Sequence, residues 1–344
     1  MRNKLNLITL VSIILISCNK KDDMSNKTDF KWGATVTSVQ DYPIVIHKGY
    51  FATQNKFITA LHSAGTEDDG WAYDGTDIGS GGNIIPTMLS LTWVSYAEKK
   101  FWNIEATIDQ ITQNKLLALF REGFYNRNSE GELPEHETYN HITIAIAPGG
   151  VVVLFITGVA HRVEVARYQA KETFVDVNTF YDNPDGDNQQ EFYDWWYKNS
   201  VPKYLQERIA QSGIPYGIWD TYREKYYWHF TRSFYKEDTL TNLSVSYING
   251  EEDYFNEEEL SKNIFSESAL PKYIRFYFKI YNGEATFDED EIVVAFKKMK
   301  MNHPDKNIEI EIRPAFMYKT TSFTVKCEGE EIPLKKTVVK MYKD

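Results

Sequence analysis

Short runs that alternate apolar and polar residues recur along the 344-residue chain, and two helical runs interrupt them at matching places. Ile142-Thr143-Ile144-Ala145-Ile146 and Ile308-Glu309-Ile310-Glu311-Ile312 have the two-residue period of strands. Two strand pairs are each led by a proline. P-T-M-L-S-L-T-W-V-S-Y begins at Pro86 and is followed by E-A-T-I-D at 105–109. P-K-Y-I-R-F-Y-F-K-I-Y begins at Pro271 and is followed by E-A-T-F-D at 284–288. Each pair then enters an apolar run at helical spacing, around Leu116 and Phe120 in one and Ile292 and Phe296 in the other. The openings agree as well, with aromatic-x-Trp-x-x-Thr at 30–35 and 226–231. The predicted fold class is α+β, mostly antiparallel β, with two related sheet-plus-helix units joined by a helical connector.

The units are expected at 30–170 and 223–344, with the connector at 171–222. Pro148-Gly149-Gly150 marks a hairpin turn, and final strands are predicted at 163–168 and 338–342. Asp288 and Glu291 read as a capping box, ahead of a face formed by Ile292, Phe296 and Met299. In the connector, 189–197 reads as a helix that brings Trp195 and Trp196 into the core. A second helix carries Leu205 and Ile209 and stops at Gly213. The Gly- and Asp-rich stretch 52–85 reads as a long irregular loop, a kind of segment often tied to function.

Composition narrows the function classes. Aromatic content is high at 15%, which suits half-buried sheets. The net charge is −11, and −13 once residues 1–17 with Arg2 and Lys4 are removed. A nucleic-acid partner needs a basic footprint, so that class is excluded. Residues 1–17 read as a signal peptide, with a charged start and a short apolar run. Leu15-Ile16-Ser17-Cys18 resembles the bacterial lipobox, which implies cleavage before Cys18 and a lipid anchor there. Residues 18–29 form the tether. Within it Lys20, Lys21, Asp22 and Asp23 resemble a surface-export signal of Bacteroidetes-type lipoproteins. Cys327 alternates with Phe323 and Val325 and is expected in a sheet core, without a disulfide.

Candidate chemistry is sparse. His136 and His141 stand five apart, whereas a zinc-binding helix needs four. Asp182, Asp185 and Asp187 loosely match a calcium loop, but Asn183-Pro184 breaks the required alternation, and an acidic turn before a helix is the plainer reading. No other cofactor is indicated, and no nucleophile elbow, phosphate loop or dinucleotide fingerprint occurs. Trp71 and Tyr73, in the acidic loop, are the binding candidates, as anchors for a sugar ring or a protein partner.

Several stretches taken together resemble a known family: Lys31-Trp32-Gly33-Ala34-Thr35, Tyr42-Pro43, L-L-A-L-F-R-E-G at 116–123, Ala147-Pro148-Gly149-Gly150, Tyr227-Trp228 and Asn249-Gly250-Glu251. They are similar to the bacterial lipoproteins grouped as domain of unknown function family 2931. The family's Gly-Gly-Trp pattern stands here as Asp69-Gly70-Trp71. The resemblance implies an envelope location and carries over no catalytic residues. The leading expectation is a lipid-anchored binding or interaction protein of the outer membrane, on the cell surface. An immunity-like role against a basic toxin falls within that class. The alternative is a hydrolase acting on glycan or another envelope polymer.

Overall fold

The computed structural model describes residues 26–62, 65, 70–71, 73–125, 136–180, 183, 186–233 and 238–343. Cys18, Lys20, Lys21, Asp22, Asp23, Asp182 and Asp185 lie outside the described residues.

The first half contains strands β1 (Asp29–Ser38), β2 (Ile44–Thr53), β3 (Lys56–Leu61), β4 (Thr76–Ile84), β5 (Met88–Ser95) and β6 (Lys100–Thr107). Helix α1 (Gln110–Glu122) and the short pair β7 (Phe124–Tyr125) and β8 (His136–Glu137) come next. Strands β9 (His141–Ala147), β10 (Val151–Gly158), β11 (His161–Gln169) and β12 (Lys171–Thr173) complete it. The connector holds α2 (Gln189–Ser200), α3 (Lys203–Ser212) and α4 (Ile218–Thr221).

The second half opens with β13 (Tyr226–Arg232), β14 (Asn242–Tyr247) and β15 (Glu252–Asn256), followed by the one-turn helix α5 (Glu257–Ser261). Then come β16 (Ser266–Ser268), β17 (Pro271–Tyr277), β18 (Tyr281–Thr286) and helix α6 (Glu289–Asn302). It ends with β19 (Ile308–Pro314), β20 (Thr321–Cys327), β21 (Glu330–Pro333) and β22 (Val338–Lys343).

Alternating side chains let each half pack two layers face to face. In the first half, Trp32, Val36, Ile144 and Leu154 of one layer meet Ile46, Phe51, Leu91 and Trp93 of the other. The layer orders are β4-β1-β9-β10-β11 and β12-β6-β5-β2-β3 in the first half, and β16-β13-β19-β20-β21 and β22-β18-β17-β14-β15 in the second. Position for position, the two pairs of orders are the same. Details agree too. Trp32 stands opposite Gly82 and its indole donates to Ile84 O at 3.1 Å, while Trp228 stands opposite Ser266 and donates to Ser268 O at 3.1 Å. The fold is α+β and mostly antiparallel, with parallel pairs at β1–β9 and β13–β19.

Each helix starts at an aspartate cap. Asp109 accepts from Thr112 N at 2.7 Å and Asp288 from Glu291 N at 2.9 Å, an arrangement that satisfies an otherwise orphan donor. Only half of the expected capping box forms at α6, because the Glu291 carboxylate accepts from Lys335 N and Lys336 N. Leu116 and Phe120 enter the first core, and Ile292, Phe296 and Met299 enter the second. Cys327 is a free, buried thiol.

Three expectations need correction. The described residues of the stretch 52–85 are mostly strand. Glycine hid its alternation, and glycine is what the packing needs: a Cβ on Gly79 would fall 2.5 Å from Ala60 O, and one on Gly82 2.5 Å from the Ile58 methyl. The final strands at 163–168 and 338–342 do not correspond by place, since β11 matches β21 and β22 matches β12. Trp195 is 49% exposed. On α2 the inward face is taken by Phe192 and by Trp196, which stacks on Tyr96 at 4.8 Å, so Trp195 is left at the shoulder.

Candidate functional site

The connector is a packed bridge whose Phe192, Leu205 and Trp219 cover the back of the first half, on Val94, Phe101, Val153 and Phe155. Where it leaves that surface, a cleft of about 610 Å3 opens between the halves. The first half supplies the β1–β2 turn with Asp41 and Tyr42, together with Gly70 and Trp71. The connector supplies Arg208 and Ser212 from the end of α3, then Trp219 and Tyr222. The second half supplies Ile248, Lys272 and the start of α6 at Asp288, Glu289 and Asp290. Its volume falls within the range of small-molecule sites.

Local chemistry fixes these walls. Gly213 ends α3 with φ 73° and donates to Ile209 O at 2.8 Å, the usual role of glycine just past a helix. Tyr42 packs edge-on against Trp219 at 5.4 Å, and Arg208 reaches its hydroxyl at 3.4 Å. Burial raises the Tyr42 pKa. Burial, and then the neighbouring Glu289 carboxylate, raises that of Tyr222. Lys272 pairs with Glu289 at 3.2 Å. The cleft is therefore aromatic at its base and mixed in charge at its rim, with acids in excess.

Beside it lies the seam that joins the halves. β11 and β15 pair at Arg162↔Glu252, which merges one layer from each half into a ten-stranded sheet. The fully buried Arg162 guanidinium donates to Trp71 O at 2.5 Å, Gly250 O at 3.2 Å and Asp74 Oδ1 at 2.9 Å. Gly250 has φ 90°, and a Cβ there would fall 2.9 Å from Trp71 O, so only glycine fits. Glu251 accepts from Glu164 N at 3.1 Å and pairs with Lys225 at 2.7 Å. Arg223 pairs with Glu164 at 2.5 Å, and Arg167 with Asp220 at 2.9 Å.

Asp253, next along β15, accepts from Tyr247 Oη at 3.0 Å. Burial pushes its pKa up to about 7, and the neighbouring Glu251 and Glu252 add to the rise against Tyr247 and Lys225. In the unfolded chain an aspartate titrates near ~3.9. Between those values the unfolded state binds fewer protons than the folded one, so stability falls as pH rises and levels off above about 7. Asp253→Asn should flatten this decline between pH 4 and 7 and make the protein more stable than wild type at pH 8. Denaturant melts across pH would show it, and parallel wild-type and variant curves would contradict it.

The candidates read from the sequence are separated by the fold. Trp71 is 6% exposed: its indole donates to Ile146 O at 3.0 Å, and its carbonyl holds Arg162. It borders the cleft but is a pin of the seam rather than the exposed anchor expected. Tyr73 is 45% exposed and does not line the cleft. His136 Nε2 contacts Glu122 O at 2.7 Å, and His141 faces Asp77 at 3.6 Å. Among the described residues no group of three His, Cys, Asp or Glu side chains is arranged to hold a metal. Asp187 forms a turn with Asn183 before the Asn188–Glu191 capping box of α2. Sequence reasoning passed over Arg162, Arg208 and Lys272. The one available signal was the acidic triplet Glu251-Glu252-Asp253, unusual where it leads into a strand that pairs on both sides.

No curated protein and no solved structure matches the chain. The family described as "Protein of unknown function (DUF2931)" matches residues 19–217, which takes in the first half and most of the connector. The resembling stretches Tyr227-Trp228 and Asn249-Gly250-Glu251 fall outside the matched residues. With more than half of its length matched, the chain belongs to the DUF2931 family.

Proposed function

We propose that this protein is a non-enzymatic binding lipoprotein of the outer membrane, anchored through Cys18, exposed at the cell surface, and binding its partner in the cleft between the halves. The observation that carries the binding reading is the cleft itself, since both halves and the connector each contribute wall residues. Among the described residues, the carboxylates whose pKa values are raised stand elsewhere and are already engaged. Glu98 accepts from Gly149 N and Trp102 Nε1, Glu252 from Ser246 Oγ, and Asp253 from Tyr247 Oη. That distribution favours binding over the hydrolase alternative, which needs a raised carboxyl facing its substrate. The excess of acids at the rim suits a basic partner. The matching layer orders support an internal duplication as the origin of the two halves.

The anchor and the cleft are tested separately. Cys18→Ala should lose fatty-acid label and membrane association, and equal label on variant and wild type would contradict the anchor. Asp22→Ala with Asp23→Ala should lower protease accessibility on intact cells while membrane association stays. Chemical crosslinking on intact cells should recover a partner from wild type that is lost from Asp290→Lys, which reverses a charge of the acidic rim. Recovery of the same partner from that variant would move the binding surface away from the cleft.

A further inference from the structure

A second cavity, of about 350 Å3, lies wholly in the second half. Its walls are Trp228 and Phe230 of β13, Leu243 of β14, Phe255 of β15 and Leu260 of α5. The same place in the first half is closed, because β3 and β4 approach directly: His62 N donates to Ile78 O at 3.0 Å, and Gly79 and Gly82 sit against Ala60 and Ile58. In the second half β15 turns into α5 instead, and Ile264 stands at the mouth, 66% exposed. One copy of a shared layer order is thus sealed by glycines, while the other keeps an open apolar space.

We propose that this cavity binds a single aliphatic chain, the hydrocarbon part of a lipid whose polar end stays outside the mouth. The charged groups at the rim already have partners within the protein. Glu259 is held by the capping box of α5, and Lys262 pairs with Glu258 at 2.9 Å. The Ser266 and Ser268 hydroxyls bond to each other at 3.0 Å. His229 packs on Phe265 at 3.9 Å, and burial lowers its pKa, which keeps it neutral. An uncharged apolar occupant is what such a lining accepts. Space is sufficient, since an apolar cavity of ~150 Å3 takes up benzene, and sites for small ligands start near ~300 Å3.

The test uses the full chain carrying Cys18→Ala, so that no acyl group of its own competes. A fluorescent polyene fatty acid should bind at one per chain and be displaced by dodecanol, whose head group is uncharged. Leu260→Trp, which fills the space, should weaken binding by about tenfold or more. Ile264→Glu, at an exposed position that leaves the core intact, should do the same by placing a charge at the mouth. No uptake by wild type, or unchanged affinity in Ile264→Glu, would overturn the proposal. So would self-association of wild type that Ile264→Glu abolishes without any chain uptake, since the mouth would then serve a second copy.

Discussion

Arg162→Ala should destabilise the protein by about 3–5 kcal/mol, the usual cost of removing one partner from a buried charged network. Three acceptors would lose their donor: the carbonyls of Trp71 and Gly250 and the Asp74 carboxylate. Glu252, whose pKa burial raises while Arg162 lowers it, would lose its nearest compensating cation. Because the halves share one backbone pairing at this residue, the variant should also unfold less cooperatively, with the second half separating from the first. Urea melts followed by tryptophan fluorescence and by circular dichroism check both points. A loss under about 1 kcal/mol with coincident transitions would mean that the seam does not depend on this arginine.

Phe120→Ala and Phe296→Ala should each cost about 3–5 kcal/mol, the range for deleting a fully buried aromatic ring. Phe120 stacks on Phe30 at 5.1 Å, and Phe296 packs edge-on against Tyr226 at 5.4 Å and Trp228 at 5.9 Å. Both rings are completely buried and come from corresponding helices. Similar losses at the two sites, with Leu substitutions milder at both, are the expected pattern. A near-neutral result at either would mean that its helix does not seal the core.

The layers and helices were legible because their signals are local. A two-residue period, an aspartate cap and an E-A-T stretch can each be read within a dozen residues, and each recurs in both halves. The seam was not legible, because Arg162 binds partners 91 and 88 residues away in opposite directions along the chain. Glycine concealed β4, since Gly79, Gly81 and Gly82 at its centre leave little side-chain alternation to see. Trp71 misled for a related reason. An acidic, Gly-rich neighbourhood looks unable to bury an indole, yet its partner, Ile146 O, comes from a strand 75 residues later. The cleft is assembled the same way, from short stretches of both halves and the connector that lie far apart along the chain.

The most direct measurement is site-specific photocrosslinking on intact cells. A benzophenone amino acid is placed in turn at Gln40 of the first half, Ser212 of the connector and Asp290 of the second half, all lining the cleft. Asn114, on the exposed side of α1, serves as the control. If the cleft is the binding surface, the three lining positions should capture the same partner and Asn114 should not. Three unrelated sets of adducts, or equal capture from Asn114, would contradict it.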